Sequence, residues 1–224
     1  MKILSLDSSG SLFSIALITE SQSFLKTYLA NKENSENLLS EIRLLLKENS
    51  FEFYDLEGVA FGTGPGSFTG VRVACGIAYG IAYAQNLPIV GINTLEAYAA
   101  IYSKPHTISC IDARMNQVYI AGVECIHNSF NIYGEMMVVD PDKLPDYQFS
   151  NPIIIGSGVR PYVKEIKKQY DHLNPIIDDQ EYALAEIIGH LAKNRFAKDF
   201  NLAHAQPIYI RDKVAYTIRE READ

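Results

Sequence analysis

Cysteine is scarce and scattered in this chain: Cys75, Cys110 and Cys125 are the three among 224 residues, with no C-x-x-C pair. An odd count at such spacing supplies neither a zinc cage nor a disulfide framework, and it suits buried thiols in a reducing compartment. Histidine is equally sparse. His106, His127, His172, His190 and His204 include no H-x-x-x-H or H-E-x-x-H, so the two-histidine helical face of a zinc hydrolase is missing and no metal site is expected. Positive charge is in deficit: 20 Lys and Arg against 27 Asp and Glu leave a net charge of −7, and no block of five basic residues occurs. A direct nucleic-acid groove is not advertised, and any role with tRNA or DNA is expected to come through a more basic partner. The longest membrane candidate, residues 73–92, is interrupted by Gln85, Asn86 and Pro88, which a spanning helix would not choose. The opening MKILSLDSSG has too short and too interrupted an apolar run for a signal peptide. A cytoplasmic location is expected.

What is present is an ordinary globular composition, 47% hydrophobic and 21% charged, long enough for one large domain or two small ones. KILSLDS, SLFSIALIT and QSFLKTYLA read as three strands of an antiparallel meander. Ser35–Glu48 places leucines at helical spacing. LEGVAFG reads as a strand, Ser67–Gln85 as a helix, LPIVGI as a strand and TLEAYAAIY as a helix. The pattern then restarts. Without a gap, Ile3 to Asp7 lies over Ile108 to Asp112, Ile15 over Ile120 and Ala16 over Ala121, a constant offset of 105 residues. VAFGTG (59–64) is echoed by IIIGSG (153–158) in the same order. Two related halves are therefore expected, 1–104 and 105–224, with the C-terminal segment free to pack back on the first. In the second half SFNIYGEMMVV reads as a strand, Pro141–Pro152 as a turn-rich loop, and RPYVKEIKKQY and YALAEIIGHLAKNRF as amphipathic helices.

The stretch GTGPGSFTGVRVACG, Gly62 to Gly76, looks at first like a phosphate cradle. It fails the letter tests. No register gives G-x-x-x-x-G-K-[ST], and G-x-G-x-x-G meets Ser67 or Thr69 where its last glycine belongs. It does make a sharp strand-to-helix turn, with Pro65 fixing φ, Gly64 and Gly66 able to take positive φ, and Ser67 as N-cap. In the helix it opens, Gly66, Gly70, Ala74, Ala78 and Ala82 recur every four residues, and Gly76 and Gly80 shave a second strip. Each helical glycine costs about 1 kcal/mol relative to alanine, so close approach of another backbone should compensate. That backbone belongs either to a partner or to the domain's own sheet, and the two readings are compatible.

GPGSFTGVR (64–72), ILSLDSS (3–9), NTLEA (93–97), IDARMNQVY (111–119) and HAQPIYIR (204–211), in this order, resemble the markers of the bacterial TsaB proteins, also called YeaZ. The resemblance spans nearly the whole chain. It implies an α/β actin/Hsp70-like (ASKHA) fold of two ribonuclease-H-like halves with mixed sheets. It also implies a cytoplasmic subunit in tRNA threonylcarbamoyladenosine synthesis. Such a subunit supports the related catalytic subunit TsaD, with the ATPase TsaE, in threonylcarbamoylating N6 of the adenosine next to the anticodon. Glycoprotease-like naming attaches to the same sequences. Asn34 and Ser40 stand where the family usually has histidine and proline.

Nucleotide-binding members of that fold hold phosphates between two Asp-containing turns. Here Asp7 and Ser8 open the first turn, whereas the second, Asp112 to Asn116, lacks glycine and presents Arg114 and Met115. Arg114 either grips a phosphate or pairs with Asp7 or Asp112 and fills the site; filling is the expectation, so the site is a degenerate one. Gly156 and Gly158 occupy the place of the adenosine loop. No catalytic residue is assigned: Gly66-Ser67-Phe68 is not a G-x-S-x-G elbow. No tightly bound cofactor is expected, with ATP used by the complex through its partners. The partner surface is assigned to Gly66, Ser67, Phe68, Gly70, Val71, Ala74 and Ala78, with Leu38, Leu39, Ile42, Leu45 and Leu46 supplying apolar area. The expected partners are TsaD-like and TsaE-like proteins, a homodimer in isolation, and tRNA only through the complex. The alternative is an active ATPase or small-molecule kinase of the same fold, or a glycoprotease-like protein.

Overall fold

The computed structural model describes residues 1–31, 37–196 and 205–211. Asn34, the expected helix start at Ser35, His204 and the tail beyond Arg211 lie outside the described residues. The strands are β1 (Ile3–Asp7), β2 (Leu12–Ile18), β3 (Ser23–Leu29), β4 (Gly58–Gly62), β5 (Ile89–Ile92), β6 (His106–Asp112), β7 (Val118–Ile126), β8 (Ser129–Val139), β9 (Ile153–Ile155) and β10 (Ile176–Asp178). The helices are α1 (Leu38–Glu48), α2 (Phe68–Gln85), α3 (Thr94–Ala100), α4 (Val163–Tyr170) and α5 (Ala185–Phe196). Two sheets result, ordered β3-β2-β1-β4-β5 and β8-β7-β6-β9-β10. In each, the first three strands form an antiparallel meander and the last two run parallel to the first. The repeat seen as a sequence echo is a repeat of topology.

Strand alternation sorts the layers. Leu4, Leu6, Ile15, Leu17, Val59 and Phe61 face outward from the first sheet, onto Leu38, Ile42, Leu45 and Leu46 of α1 and Ala74, Ala78 and Ala82 of α2. Ile3, Ala16, Ile18 and Ala60 face inward and share one cluster with Ile111, Ala121, Ile153 and Ile155 of the second sheet. Between the sheets lie α3 and α5, which supply Leu95, Ala97, Tyr98, Ala185, Ile188 and Ala192. The outer face of the second sheet, with Ile108, Cys110, Ile120 and Ile154, is covered by α4 and by Leu144, Tyr147 and Phe149 of the turn-rich stretch. The order is helix, sheet, helix, sheet, helix.

The middle helices are exchanged. α3 follows the first sheet in sequence but packs on β6, β7 and β8, and α5, from the second half, packs on β1, β2, β4 and β5. Matching serines tie the exchange: Ser5 Oγ donates to Ala185 O at 2.7 Å and Ser109 Oγ to Leu95 O at 2.7 Å. Ser14 Oγ accepts from Ala185 N at 3.1 Å.

Register refines the repeat. Ser5 pairs with Ala16, and Ser109 with Ala121. The offset of 105 therefore holds for β2 and β7, while Ser5 matches Ser109 and β6 is displaced by one residue. A one-residue slip moves every side chain to the other face. Ile3 faces inward whereas Ile108, its ungapped match, faces outward.

The small-residue strip meets this protein's own backbone. A Cβ at Gly70 would overlap the Ser8 carbonyl oxygen and one at Gly66 the Ser9 carbonyl oxygen, whereas Gly76 and Gly80 have nothing within 4 Å among the described residues. Ser67 caps the helix as expected, its Oγ accepting from Gly70 N at 3.2 Å, and Ser67 N donates to Ser9 O at 2.7 Å. Two substitutions on one helix should thus act in opposite directions. Gly70→Ala is expected to destabilise the protein by about 3 kcal/mol or more, since the overlap is with backbone that cannot rotate away, and Gly76→Ala to stabilise it by up to about 1 kcal/mol. Urea unfolding of the two variants measures both; equal effects would contradict this packing.

Candidate functional site

The halves meet around a cleft of about 490 Å³. One wall is Ser9, Gly10 and Ser11 after β1, with Gly66 to Thr69 at the start of α2; the other is Asp112 to Met115, Ser157, Arg160, Asp179 and Glu181. Ile208 to Arg211 close a third side. Among these, Ser157, Arg160, Asp179, Glu181 and the 208–211 segment were not expected at the site. HAQPIYIR stood out in the sequence only as a family marker, and nothing local to it indicates where it lands.

Asp7 does not line the cleft. It ends β1 on the inward face, where it is 2% exposed, and its Oδ1 lies against Gly62 with no hydrogen-bond partner. Ser9 Oγ donates to Oδ2 at 3.1 Å, and the backbone amides of Ser8 and Ser9 also bond the carboxyl. Burial raises its pKa to about 6 against these lowering bonds. Ser8 is likewise buried.

Asp112 does reach the cleft, because β6 is displaced by one residue and its last position falls on the outward face beside Val118. The register thus puts the carboxylates of Asp7 and Asp112, both assigned to a degenerate nucleotide site, on different layers. Asp112 Oδ1 accepts from Arg114 N at 2.9 Å, Ala113 N donates to Gln117 O at 2.9 Å, and Gln117 N to Arg114 O at 3.1 Å. The second turn thus commits the Ala113, Arg114 and Gln117 amides to its own carboxylate and carbonyls. Arg114, Met115 and Asn116 take successive positive φ values of 59°, 53° and 54°, a conformation uncommon for residues with side chains. Arg114 pairs with Asp112 at 3.2 Å, as one of the expected alternatives had it, but its side chain is 81% exposed. It stands at the edge of an open cleft, which corrects the expectation that it fills the site.

Behind this turn, Gly156 packs against the Cys110 carbonyl and Gly158 against Cys110 Sγ, so these glycines serve close packing on β6. Their neighbour Ser157 faces the cleft and accepts from Asp112 N at 3.2 Å. Burial pushes the Cys110 thiol up to about 12. Among the described residues no three His, Cys, Asp or Glu side chains gather as a metal would need, and no helix is long and apolar enough to cross a membrane.

The residues assigned to a partner surface divide. Ser67, Phe68 and Leu39 are exposed and Gly66 is partly so. Gly70, Val71, Ala74 and Ala78 are buried within the chain, and Leu38, Ile42, Leu45 and Leu46 are core. The expectation that these leucines and Ile42 supply free apolar area is corrected, because the helical stripe that gives α1 its periodicity is the stripe the first sheet covers. What α1 and α2 present outward is Leu39 and Leu44 on one, and Arg72, Val73, Gly76, Gly80 and Tyr83 on the other.

Residues 18–157 match the family model described as TsaD: tRNA N6-adenosine threonylcarbamoyltransferase. The chain is 30% identical to the tRNA threonylcarbamoyladenosine biosynthesis protein TsaB of Escherichia coli over 96% of this chain and 97% of that one. It is 28% identical to TsaB of Haemophilus influenzae over 96% of each. The solved structure of YeaZ from Pseudomonas aeruginosa superposes with a TM-score of 0.79 at 26% identity, covering 93% of this chain and 99% of that one. The chain belongs to the TsaB (YeaZ) family, and its fold is the actin/Hsp70-like arrangement of two ribonuclease-H-like halves.

The buried carboxyl of Asp7 gives the fold a pH signature. Its native pKa of about 6 lies above the ordinary aspartate value of 3.8, so the folded state holds this proton more tightly than the unfolded one. The group costs nothing well below pH 4, the penalty grows between pH 4 and 6, and it is complete above pH 6, on the order of 3 kcal/mol. Asp7→Asn should therefore gain stability over the parent above pH 6, with the advantage fading toward pH 4. Thermal melts across that range test it; a difference that did not change with pH would assign the burial cost elsewhere.

Proposed function

We propose that this member of the TsaB family is a non-catalytic cytoplasmic subunit of tRNA threonylcarbamoyladenosine biosynthesis. It binds and supports a related TsaD-type catalytic subunit, together with a TsaE-type ATPase, in modifying N6 of the adenosine next to the anticodon. The observation that supports the reading is the second cleft turn, where the Ala113 and Arg114 amides are already engaged by Gln117 O and by the Asp112 carboxylate. A phosphate cradle needs free N–H groups converging on the anion, and a fixed carboxylate in their place repels one. ATP enters through the partners, and tRNA meets the chain only through the complex.

The partner face is the outward side of α2 with that of α1. Arg72, Gly76, Gly80 and Ala84 form its i, i+4 row, flanked by Val73 and by Tyr83, which is 92% exposed. Leu39 and Leu44 of α1, 49% and 42% exposed, add apolar area. The small residues admit a facing backbone, and the isolated chain uses the same face for a two-fold homodimer, so dimer and partner compete.

Two measurements test the role. A reconstituted transfer assay should lose product when this chain is omitted, yet run near the parental rate with Asp112→Ala. Calorimetry with Mg-ATP should give a Kd weaker than about 100 μM, whereas a stoichiometric isotherm tighter than about 10 μM, roughly −7 kcal/mol, would restore the ATPase or kinase alternative. The face has its own test. Gly80→Leu, at an open position, should leave the fold intact and weaken both homodimer and partner capture; undiminished binding would place the interface elsewhere.

A further inference from the structure

The segment 205–211 touches both halves. Ala205 is buried in the outer core of the first half, and its carbonyl accepts from Tyr79 Oη of α2 at 2.6 Å. Ile208 N donates to Thr63 O, just beyond β4, at 2.8 Å. Tyr209 lies on the Arg72 guanidinium at 4.9 Å, which in turn rests on the Phe68 ring at 3.2 Å. The chain then lines the cleft and, among the described residues, reaches the second half through the side chain of Arg211. Arg211 Nη2 donates to Gln117 Oε1 at 2.6 Å, Nη1 approaches Met115 Sδ at 3.3 Å, and the guanidinium lies 5.9 Å from the Tyr119 ring. Gln117 is held in turn by Asp140, its Nε2 donating to Oδ1 at 3.1 Å.

We propose that residues 205–211 are a built-in latch that sets the angle between the two halves, with Arg211 as its catch. Halves that open and close around a cleft normally take their closing energy from the ligand between them. Here the second turn commits its Ala113 and Arg114 amides to its own oxygens, and the chain itself spans the gap. The anchor is strong on the first half, where it is backbone hydrogen bonding plus a buried alanine. It is narrow on the second, where one forked guanidinium makes every contact named above. Release of the catch would loosen the halves at the cleft, where the Ser11 hydroxyl still donates to Glu181, while the α3–α5 layer, with its cross-half ion pair of Glu96 and Arg195, stays joined. A lysine reaches one acceptor at a time and cannot reproduce the fork.

The experiment reads a distance, so it is independent of transfer activity and of the role proposed above. Spin labels at Ser21, in the turn between β2 and β3, and at Lys164 on α4, both exposed, are placed in the full-length protein with Cys75 and Cys125 changed to serine. Arg211→Ala should broaden the distance distribution and lengthen its mean, Arg211→Lys should fall between, and Gln117→Ala should reproduce the alanine effect. The double variant should do no more than either single one, because both remove the same contact. Amide exchange at Ile208 should also quicken by about tenfold or more in Arg211→Ala. Distributions and exchange unchanged in both single variants would overturn the latch, as would additive effects in the double variant.

Discussion

The exchange of helices between the two sheets is the constraint on which the rest of the molecule depends. A sheet with apolar side chains on both faces must be covered twice, and each half brings a helix for the middle layer that ends on the other half's sheet. The hydroxyls of Ser5 and Ser109 bond carbonyls at the starts of those helices and convert a nonspecific apolar contact into a fixed one. Hydrogen-bonded polar groups inside a core specify arrangement at little net cost, whereas an unpaired one is expensive. The inner cluster, drawn from both sheets, makes the two halves separate in topology but joined in packing.

The cleft is a consequence of that layering. Each sheet delivers the turn after its first strand to the same region, which is where a two-lobed fold of this kind can hold a ligand. The turns differ through one residue of register. On the first sheet the last strand position is the buried Asp7; on the second it is Asp112, turned outward to the cleft. The first carboxyl is lost to the interior and the second to its own turn. The same close packing that prevents α2 from leaving the first turn, at Gly66 and Gly70, leaves Gly76 and Gly80 uncovered on the opposite side. A helix this rich in glycine serves two surfaces.

Much of this was legible in the residues because it is local. Strand alternation, the leucine stripe of α1 and the Ser67 cap depend on neighbours within a few positions, and the two-half echo repeats such local patterns; β10 (Ile176–Asp178) is the strand that no such pattern indicated. Gly70 and Gly76 show the limit. Both announce close approach or open space, and one-dimensional spacing cannot say which, since that depends on where the Ser8 carbonyl comes to rest. Likewise the periodicity of Leu38, Ile42 and Leu45 marks an apolar face without naming what covers it.

The types and order of the elements other than β10, the duplication and the absence of a lysine-bearing phosphate loop follow from side-chain period and from motifs read letter by letter. The exchange of α3 and α5, the displacement of β6, the strand β10, the burial of Asp7 and the course of residues 205–211 along the cleft come from tertiary packing. The physical reason is range: hydrogen bonds such as Ile208 N to Thr63 O and Arg211 to Gln117 join residues far apart in the chain. Such pairings have no local signature, because they are selected by the packing of whole layers.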